Sequence, residues 1–550
     1  MKKYLYLFLL LLSGIASYAH VGSAGVQMQA QAGAYKVLVS VTPPDVIPGT
    51  AQVTVFIEYG EARKVSVRPI YFYSGDKGAP TADPLTPVPG QKGQFQGSVW
   101  LMEPGSSSAQ ISIEGIQGDA ELIIPIVAVS TAERDMPKGL GIGLGIFGLL
   151  LFLLMITTIG ASVSDGLLKP GQSLTPAQKR KRWINMGIAT AVCSLILYGG
   201  SSWWDSWASE YKQWLYKPLA AKTAIIEADS QRVFQLKIDT IHWDHRKKRS
   251  MLSTLIPDHG KIMHTFLVRM PGLDAFAHVH PERKDSLTFE AALPDLPAGK
   301  YLVYSDIVQY SGFAETIVDT LVIQAKSVKN TSQTISEDDT YIMTDPLDTP
   351  GKVPMGENVV ICGKPGTKTV FKDGSYAIWE GKPDKALEAG KPYQLNFEIY
   401  NPDNSPCFPE PYLGMLGHAV IMRSDGSVYI HLHPSGSYSM AAEQSFENRI
   451  SDTAHVAKWP KPDVFRDSID RHLAHLKAMP TIDRELFLMK EMGMYNATEG
   501  GMTGMEHGTR ISFPYAFPKG GQYRIFLQIK RNEKVLTGAF DVKVDDPVTL

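Results

Sequence analysis

The chain has 550 residues, a formal net charge of −2 and three cysteines. Its length exceeds what one hydrophobic core supports, so three or more domains are expected. The lack of a basic surplus excludes the usual kinds of nucleic-acid-binding protein, and three cysteines are too few for a disulfide-rich scaffold.

The first 19 residues have the pattern of an export signal. Two lysines precede an apolar run over residues 4–12, and small residues follow at the end of the segment. Cleavage after Ala19 makes His20 the first residue of the mature chain, whereas the alternative cleavage after Ala16 does not. An N-terminal histidine chelates copper through its amine and its ring, so His20 is a candidate metal ligand.

Residues 20–135 predict an external β-sandwich. Segments of alternating apolar residues, such as residues 35–41 and 51–57, are separated by turns rich in proline and glycine. Short strands at regular spacing with such turns are typical of sandwich domains. Abundant glycine (48) and proline (36) in the whole chain favour the same mainly β class.

Two segments, residues 139–163 and 184–202, are predicted to cross a membrane as helices. The first is uncharged over about 25 residues, which is long enough to span a bilayer. The basic loop between them, residues 164–183, is expected on the cytoplasmic side. We therefore expect the chain in a bacterial cytoplasmic membrane, with its bulk on the periplasmic side. A pair of buried core helices is the alternative.

An internal repeat follows the membrane segments. A histidine, an apolar strand, a turn and an apolar His-x-His-Pro occur at residues 264–281 and again at residues 418–434. We therefore expect two copies of one β-sandwich, the second with a helical insertion. The predicted boundaries are 225–324 for the first copy, 325–340 for a polar linker, 341–550 for the second copy and 435–509 for the insertion.

The second copy places three histidines on one face of a hairpin. The Asp-Gly pair at residues 425–426 predicts a two-residue turn, which sets His418 opposite His433 and His431 opposite Val420. Cross-strand partners and residues two apart share a face, so the three imidazoles converge. Neutral imidazole nitrogen is a good ligand for copper or zinc, and the pattern therefore predicts a metal site.

The first copy predicts a similar hairpin with a longer loop. A three-residue loop centred on Gly272 pairs His264 with His280 and puts His278 on the same face. A loop of even length would break this alignment. Ordinary hydrogen-bonded or surface histidines are the alternative for both copies.

The repeated pattern resembles that of secreted bacterial YtkA-like domains, which lie close in fold to CopC-like copper-resistance sandwiches. The resemblance covers about residues 370–434 and 510–545, and more loosely residues 230–324. It implies an immunoglobulin-like fold and a copper-associated role, without an established reaction. The N-terminal sandwich, the membrane segments and the insertion lie outside the resemblance.

The insertion is rich in methionine and histidine. Met502, Met505 and His507 lie in a flexible, polar, glycine-rich segment with little core to enter, so they are candidate ligands. Thioether sulfur is a soft ligand that selects Cu(I). Met489 and Met492 are instead expected on the apolar face of a short helix.

The remaining histidines and cysteines give weaker signals. The irregular turn around His259 predicts no firm geometry. His472 and His475 share a helix face and are expected to be solvated. Cys362 and Cys407 are one possible external disulfide pair.

These patterns predict a membrane-anchored, extracytoplasmic metal-binding protein that buffers copper, confers resistance to it or delivers it, with zinc as the alternative metal. The expected partners are the metal ion, the membrane and a copper-dependent membrane enzyme. No known catalytic motif occurs, so an enzyme is not expected. The alternatives are a metal-free structural subunit of a membrane assembly and a copper-dependent oxidoreductase.

Overall fold

The chain is mainly β, as predicted, with several two-sheet sandwiches, two long apolar helices and a short helical insertion. Its contacts divide it into a β-rich unit (up to residue 44, 48–128 and from 218 onward) and a helical unit (45–47 and 129–217). The computed structural model describes residues 20–21, 25–133, 136–164, 168–169, 171–228, 231–240, 251–325, 335–347, 367–382, 386–493, 495–496, 501–502 and 508–547.

The N-terminal sandwich is built from a five-stranded sheet, β2-β3-β4-β8-β7, and a four-stranded sheet, β10-β9-β5-β6, where the first strand, β1, belongs to a later sheet. Burial alternates along β3, which gives the sheet one apolar inner face. The strands are β1 (His20–Val21), β2 (Val26–Ala32), β3 (Tyr35–Thr42), β4 (Gly49–Tyr59), β5 (Ala62–Tyr71), β6 (Asp83–Pro84), β7 (Thr86–Pro87), β8 (Gln94–Leu101), β9 (Gly105–Gly115) and β10 (Gly118–Ala128).

The helical unit contains α1 (Lys138–Ser164) and α2 (Pro176–Trp214). Both are long and apolar enough to cross a membrane, and only 6% of the most apolar window of each is buried. Such exposure does not fit the alternative of buried core helices. The second helix is longer than the predicted apolar run, because a capping box at Thr175 starts it well before that run begins.

The first repeated domain pairs the sheet β11-β12-β17-β16 with the sheet β13-β18-β14-β15-β20, where β19 lies beside β18. One apolar core fills the space between these two sheets. The strands are β11 (Ala221–Ala228), β12 (Gln231–Ile238), β13 (Leu255–Ile256), β14 (His264–Met270), β15 (Ala275–Val279), β16 (Glu282–Arg283), β17 (Thr288–Ala292), β18 (Gly299–Gln309), β19 (Ala314–Ile323) and β20 (Thr340–Met343).

The second repeated domain pairs the sheet β21-β22-β24-β29 with the sheet β1-β26-β25-β30-β31-β23. The insertion after β26 folds into three helices, α3 (Met440–Ser451), α4 (Pro462–Ala478) and α5 (Thr481–Glu491). The strands are β21 (Lys368–Val370), β22 (Tyr376–Glu380), β23 (Leu387–Glu388), β24 (Pro392–Tyr400), β25 (His418–Arg423), β26 (Val428–Leu432), β27 (Tyr495–Asn496), β28 (Gly501–Met502), β29 (Arg510–Ala516), β30 (Gly521–Arg531) and β31 (Lys534–Asp545).

The two domains share one topology. The strand order β15-β14-β18-β19 in the first corresponds to β26-β25-β30-β31 in the second. Both histidine hairpins have the predicted register: Phe266 pairs with His278, and Val420 pairs with His431. Continued by two residues, these registers set His264 opposite His280 and His418 opposite His433.

The histidine-bearing sheets of the two domains pack face to face through an apolar layer. Phe276 stacks on Phe526, and Tyr429 stacks on Tyr304, each with ring centroids 4.2 Å apart. Phe276 and Tyr429 occupy equivalent positions in the two hairpins, two residues before His278 and His431. The contact therefore has an approximate two-fold symmetry.

We expect Phe526→Ala to lower the free energy of unfolding by about 3–5 kcal/mol, because it removes a fully buried ring from this contact. The matched control is Phe408→Ala, since Phe408 is 69% exposed. Chemical denaturation of the full chain measures both. Equal stability of the two variants would contradict the close face-to-face packing.

Candidate metal centre

Seven histidines meet at the contact between the two repeated domains. The packing of two equivalent hairpins against each other brings six of them together, and a turn before β14 adds the seventh. All are buried or nearly so, and they are His259, His264, His278, His280, His418, His431 and His433.

Three histidines of the first domain form one group, with a nitrogen of each within 4.8 Å of the others. His264 Nδ1 lies 3.2 Å from His278 Nε2. His264 Nε2 donates to the Asp258 carbonyl at 3.0 Å, so its Nδ1 carries a lone pair. His280 completes this first group, and its Nε2 has no hydrogen-bond partner among the described residues.

The tautomer of His278 is fixed by two neighbours from the second domain. Its Nδ1 donates to Gln528 Oε1 at 2.7 Å. The Tyr412 hydroxyl lies 3.4 Å from the same nitrogen and gives its own proton to the Asp338 carbonyl, so it can only accept from the ring. His278 Nε2 is therefore unprotonated, and two lone pairs, on His264 and His278, face each other in a buried site.

The second nitrogen of every ring in this first group is hydrogen-bonded to an oxygen, because His280 Nδ1 lies 2.8 Å from Asp339 Oδ1. Metal-binding histidines are typically oriented in this way. Two nitrogens of a tetrahedral site with bonds of about 2.0 Å lie about 3.3 Å apart, close to the His264–His278 distance. The first group therefore fits a metal ion such as copper or zinc.

The second group combines both domains: His259 from the first, and His418 and His433 from the second. His433 Nδ1 donates to the Tyr438 carbonyl at 2.9 Å, so its Nε2 is unprotonated. His259 Nε2 lies 3.1 Å from that atom. Neither ring nitrogen of His418 has a hydrogen-bond partner among the described residues.

His431 lies between the groups and not within the second one, where the hairpin pattern placed it. Its ring centroid is 4.6 Å from that of His433 and 5.3 Å from that of His264. Its Nδ1 is 3.7 Å from Asp306 Oδ2, and Asp306 occupies in β18 the position that Gln528 has in β30. The opposing domain supplies His259 in its place, which an isolated hairpin could not indicate.

The turn that carries His259 has an equivalent in the second domain. His259 and Gly260 both have positive φ, 51° and 73°, and so do Leu413 and Gly414, at 51° and 77°. Each pair lies five and four residues before the first histidine of its hairpin. Alignment of the two copies over this turn predicts its shape but not a ligand at His259, because the second copy has Leu413 at the equivalent position.

Burial keeps these histidines neutral. Desolvation is the main cause of the lowered pKa values, and it brings the pKa of His433 to about 3. The other pKa values that lie well below the ordinary range for the same reason are those of His259, His278, His418 and His431. Burial likewise lowers the pKa of His280 and raises that of its partner Asp339 to about 7, because the charged form of both is disfavoured. Neutral imidazoles are the form that binds a metal.

The other candidate ligands lie elsewhere or outside the described residues. The backbone of His20 pairs in parallel with Val428 in β26, at the edge of the sheet that carries His431 and His433. Met502 lies in the short strand β28. Met505, His507 and Cys362 fall outside the described residues, so the pairing of Cys362 with the buried Cys407 stays a prediction.

The second domain matches a known family model. That model is described as a domain of unknown function (DUF8832), and it matches residues 369–466 and 468–546, about a third of the chain. The matched region includes His418, His431 and His433 but not the histidines of the first domain. No curated protein shows significant similarity to the chain.

Two solved structures align with the chain at low similarity. Dimeric latent PorU from Porphyromonas gingivalis is 8% identical with a TM-score of 0.13; the alignment covers 95% of this chain, which spans only 34% of PorU. A putative membrane anchored protein from Corynebacterium diphtheriae is 8% identical with a TM-score of 0.12, covering 95% of this chain and 96% of that one. At these scores neither likeness carries an argument about fold or function.

Proposed function

We propose that this protein is a membrane-anchored, extracytoplasmic copper-binding protein that buffers copper, confers resistance to it or delivers it to a copper-dependent membrane enzyme. The observation that carries the proposal is the facing pair His264 Nδ1 and His278 Nε2, 3.2 Å apart and without a proton between them. Two buried lone pairs at this distance repel each other unless a cation lies between them. A metal ion is the cation that neutral imidazoles bind.

Copper is favoured over zinc by a thioether beside the second group. Met492 Sδ lies 3.2 Å from His259 Nδ1. Thioether sulfur is a soft donor that binds Cu(I) well and contributes little to zinc sites. Zinc remains the alternative metal for the first group, whose three donors are all imidazoles.

The metal test uses the purified full chain in detergent, incubated in turn with Cu(I), Cu(II) and Zn(II). We expect about two copper ions per wild-type chain, one for each three-histidine group. His264→Gln with His278→Gln should lose one ion, and His418→Gln with His433→Gln should lose one as well. Metal content per chain after desalting, with measured affinity, gives the result.

The matched control for this test is His455→Gln with His475→Gln, because both side chains are exposed. Circular dichroism confirms that each variant is folded. Copper binding that is absent, or equal in all four proteins, would refute the metal proposal and leave a structural subunit of a membrane assembly.

The proposed topology places the sandwiches outside the cytoplasm and the loop between α1 and α2 inside. In a chain whose three native cysteines are replaced by serine, we expect a membrane-impermeant maleimide to label Lys92→Cys on spheroplasts. Gln172→Cys in the loop should react only after the membrane is permeabilised. The reverse labelling pattern would contradict the extracytoplasmic placement.

A copper-dependent oxidoreductase is the second candidate, favoured by the closeness of the two groups. The ring centroids of His259 and His264, one from each group, are 5.9 Å apart. Adjacent copper ions can carry out dioxygen chemistry when a substrate or reductant reaches them. Oxygen uptake by the copper-loaded chain with a one-electron reductant tests this. Oxygen uptake that is lost in the double variant His418→Gln, His433→Gln supports catalysis. Oxygen uptake by the wild type that is no faster than that of free copper excludes it.

A further inference from the structure

A cavity of about 1550 Å³ lies beside the second histidine group. The N-terminal sandwich, both repeated domains and the helical insertion all contribute to its wall. Of the seven clustered histidines, His259 alone lines it. Three methionines line it too, Met28, Met440 and Met492.

His259 separates the cavity from the buried cluster. One ring nitrogen, Nδ1, lies 3.2 Å from Met492 Sδ, and the other, Nε2, lies 3.1 Å from His433 Nε2. A neutral imidazole carries one proton, and neither Met492 Sδ nor His433 Nε2 can donate one. One of the two short contacts therefore joins two lone pairs, whichever tautomer His259 adopts.

Met492 is held in place by packing. It is the capping residue directly after α5, and its Cε fills the space beside Gly414, where an added Cβ would approach it to 2.0 Å. Glu485 of the same helix accepts a hydrogen bond from the Gly414 amide at 2.7 Å. Arg484 of α5 also pairs with Asp338 at 2.9 Å, which ties the helix to the first domain.

We infer that Met492 and His259 Nδ1 form a receiving site for Cu(I), through which copper passes from the cavity to the buried histidines. This inference rests on the proposed function and adds the oxidation state and the route. The site is distinct from the two three-histidine groups, because it uses the opposite nitrogen of His259 and a sulfur donor. Met28 and Met440 supply further thioethers along the same wall.

The transfer consists of ligand exchange alone. Copper leaves Met492 and His259 Nδ1 as it gains nitrogens of the second group, and it stays Cu(I) throughout. No electron or external reductant is required. A proton bound to His259 moves from one ring nitrogen to the other, so the ring stays neutral.

The test measures anaerobic uptake of Cu(I) by the full chain from a coloured, water-soluble Cu(I) chelator. We expect Met492→Leu to slow copper uptake roughly tenfold, which is the lower end of the effect on affinity or activity when a group that orients a metal ligand is removed. The final copper content should stay that of the wild type. The matched control is Met489→Leu, three residues earlier in α5, whose side chain is buried away from the cavity. It should take up copper at the wild-type rate.

X-ray absorption on samples frozen during uptake gives a second readout. We expect an early copper–sulfur distance that disappears on completion in the wild type and in Met489→Leu, and no such early distance in Met492→Leu. Equal uptake rates in all three proteins would overturn the receiving site while leaving the histidine groups intact. A lower final copper content in Met492→Leu with an unchanged rate would overturn it too, because Met492 would then be a permanent ligand. Wild type that takes up no copper would overturn the proposed function itself.

Discussion

The face-to-face contact between the two histidine-bearing sheets is the constraint on which the candidate site depends. Withdrawing imidazoles from water is costly, since each buried polar group left without a partner costs about 1–3 kcal/mol. Stacked aromatic pairs offset this cost, and the fully buried Arg524 links the two domains by donating to the Leu273 carbonyl at 2.8 Å and to Asp541 at 2.7 Å. Because the histidines lie on the contact surface, neither domain alone would assemble the second group.

Local pattern was sufficient to predict much of this arrangement. The Asp-Gly turn at residues 425–426 and the loop centred on Gly272 set the register of each hairpin, and register decides which side chains share a face. The alternation of apolar residues along β3 was enough to indicate a sandwich, and long uncharged runs were enough to indicate α1 and α2. In each case the deciding interaction joins residues close together in sequence.

The remaining features depend on contacts between distant segments. Nothing in the pattern around His418 indicates that the first domain supplies its neighbour His259, because the two residues meet only when the sheets dock. Met492 was expected on a short helix, but the helix ends at Glu491 and Met492 caps it, where packing against Gly414 brings its sulfur to His259. The distance between the two histidine groups is likewise a property of the docked pair and not of either hairpin.

The approximate two-fold symmetry of the contact has a consequence for how the site can vary. If the contact were formed by two identical chains, every substitution would occur in both chains, and the two equivalent turns would be identical. Here both copies belong to one chain, and His259 stands where the other copy has Leu413. Because both halves share one chain, each can differ from the other, with one turn carrying a candidate ligand beside the cavity and its counterpart buried in the hydrophobic interior.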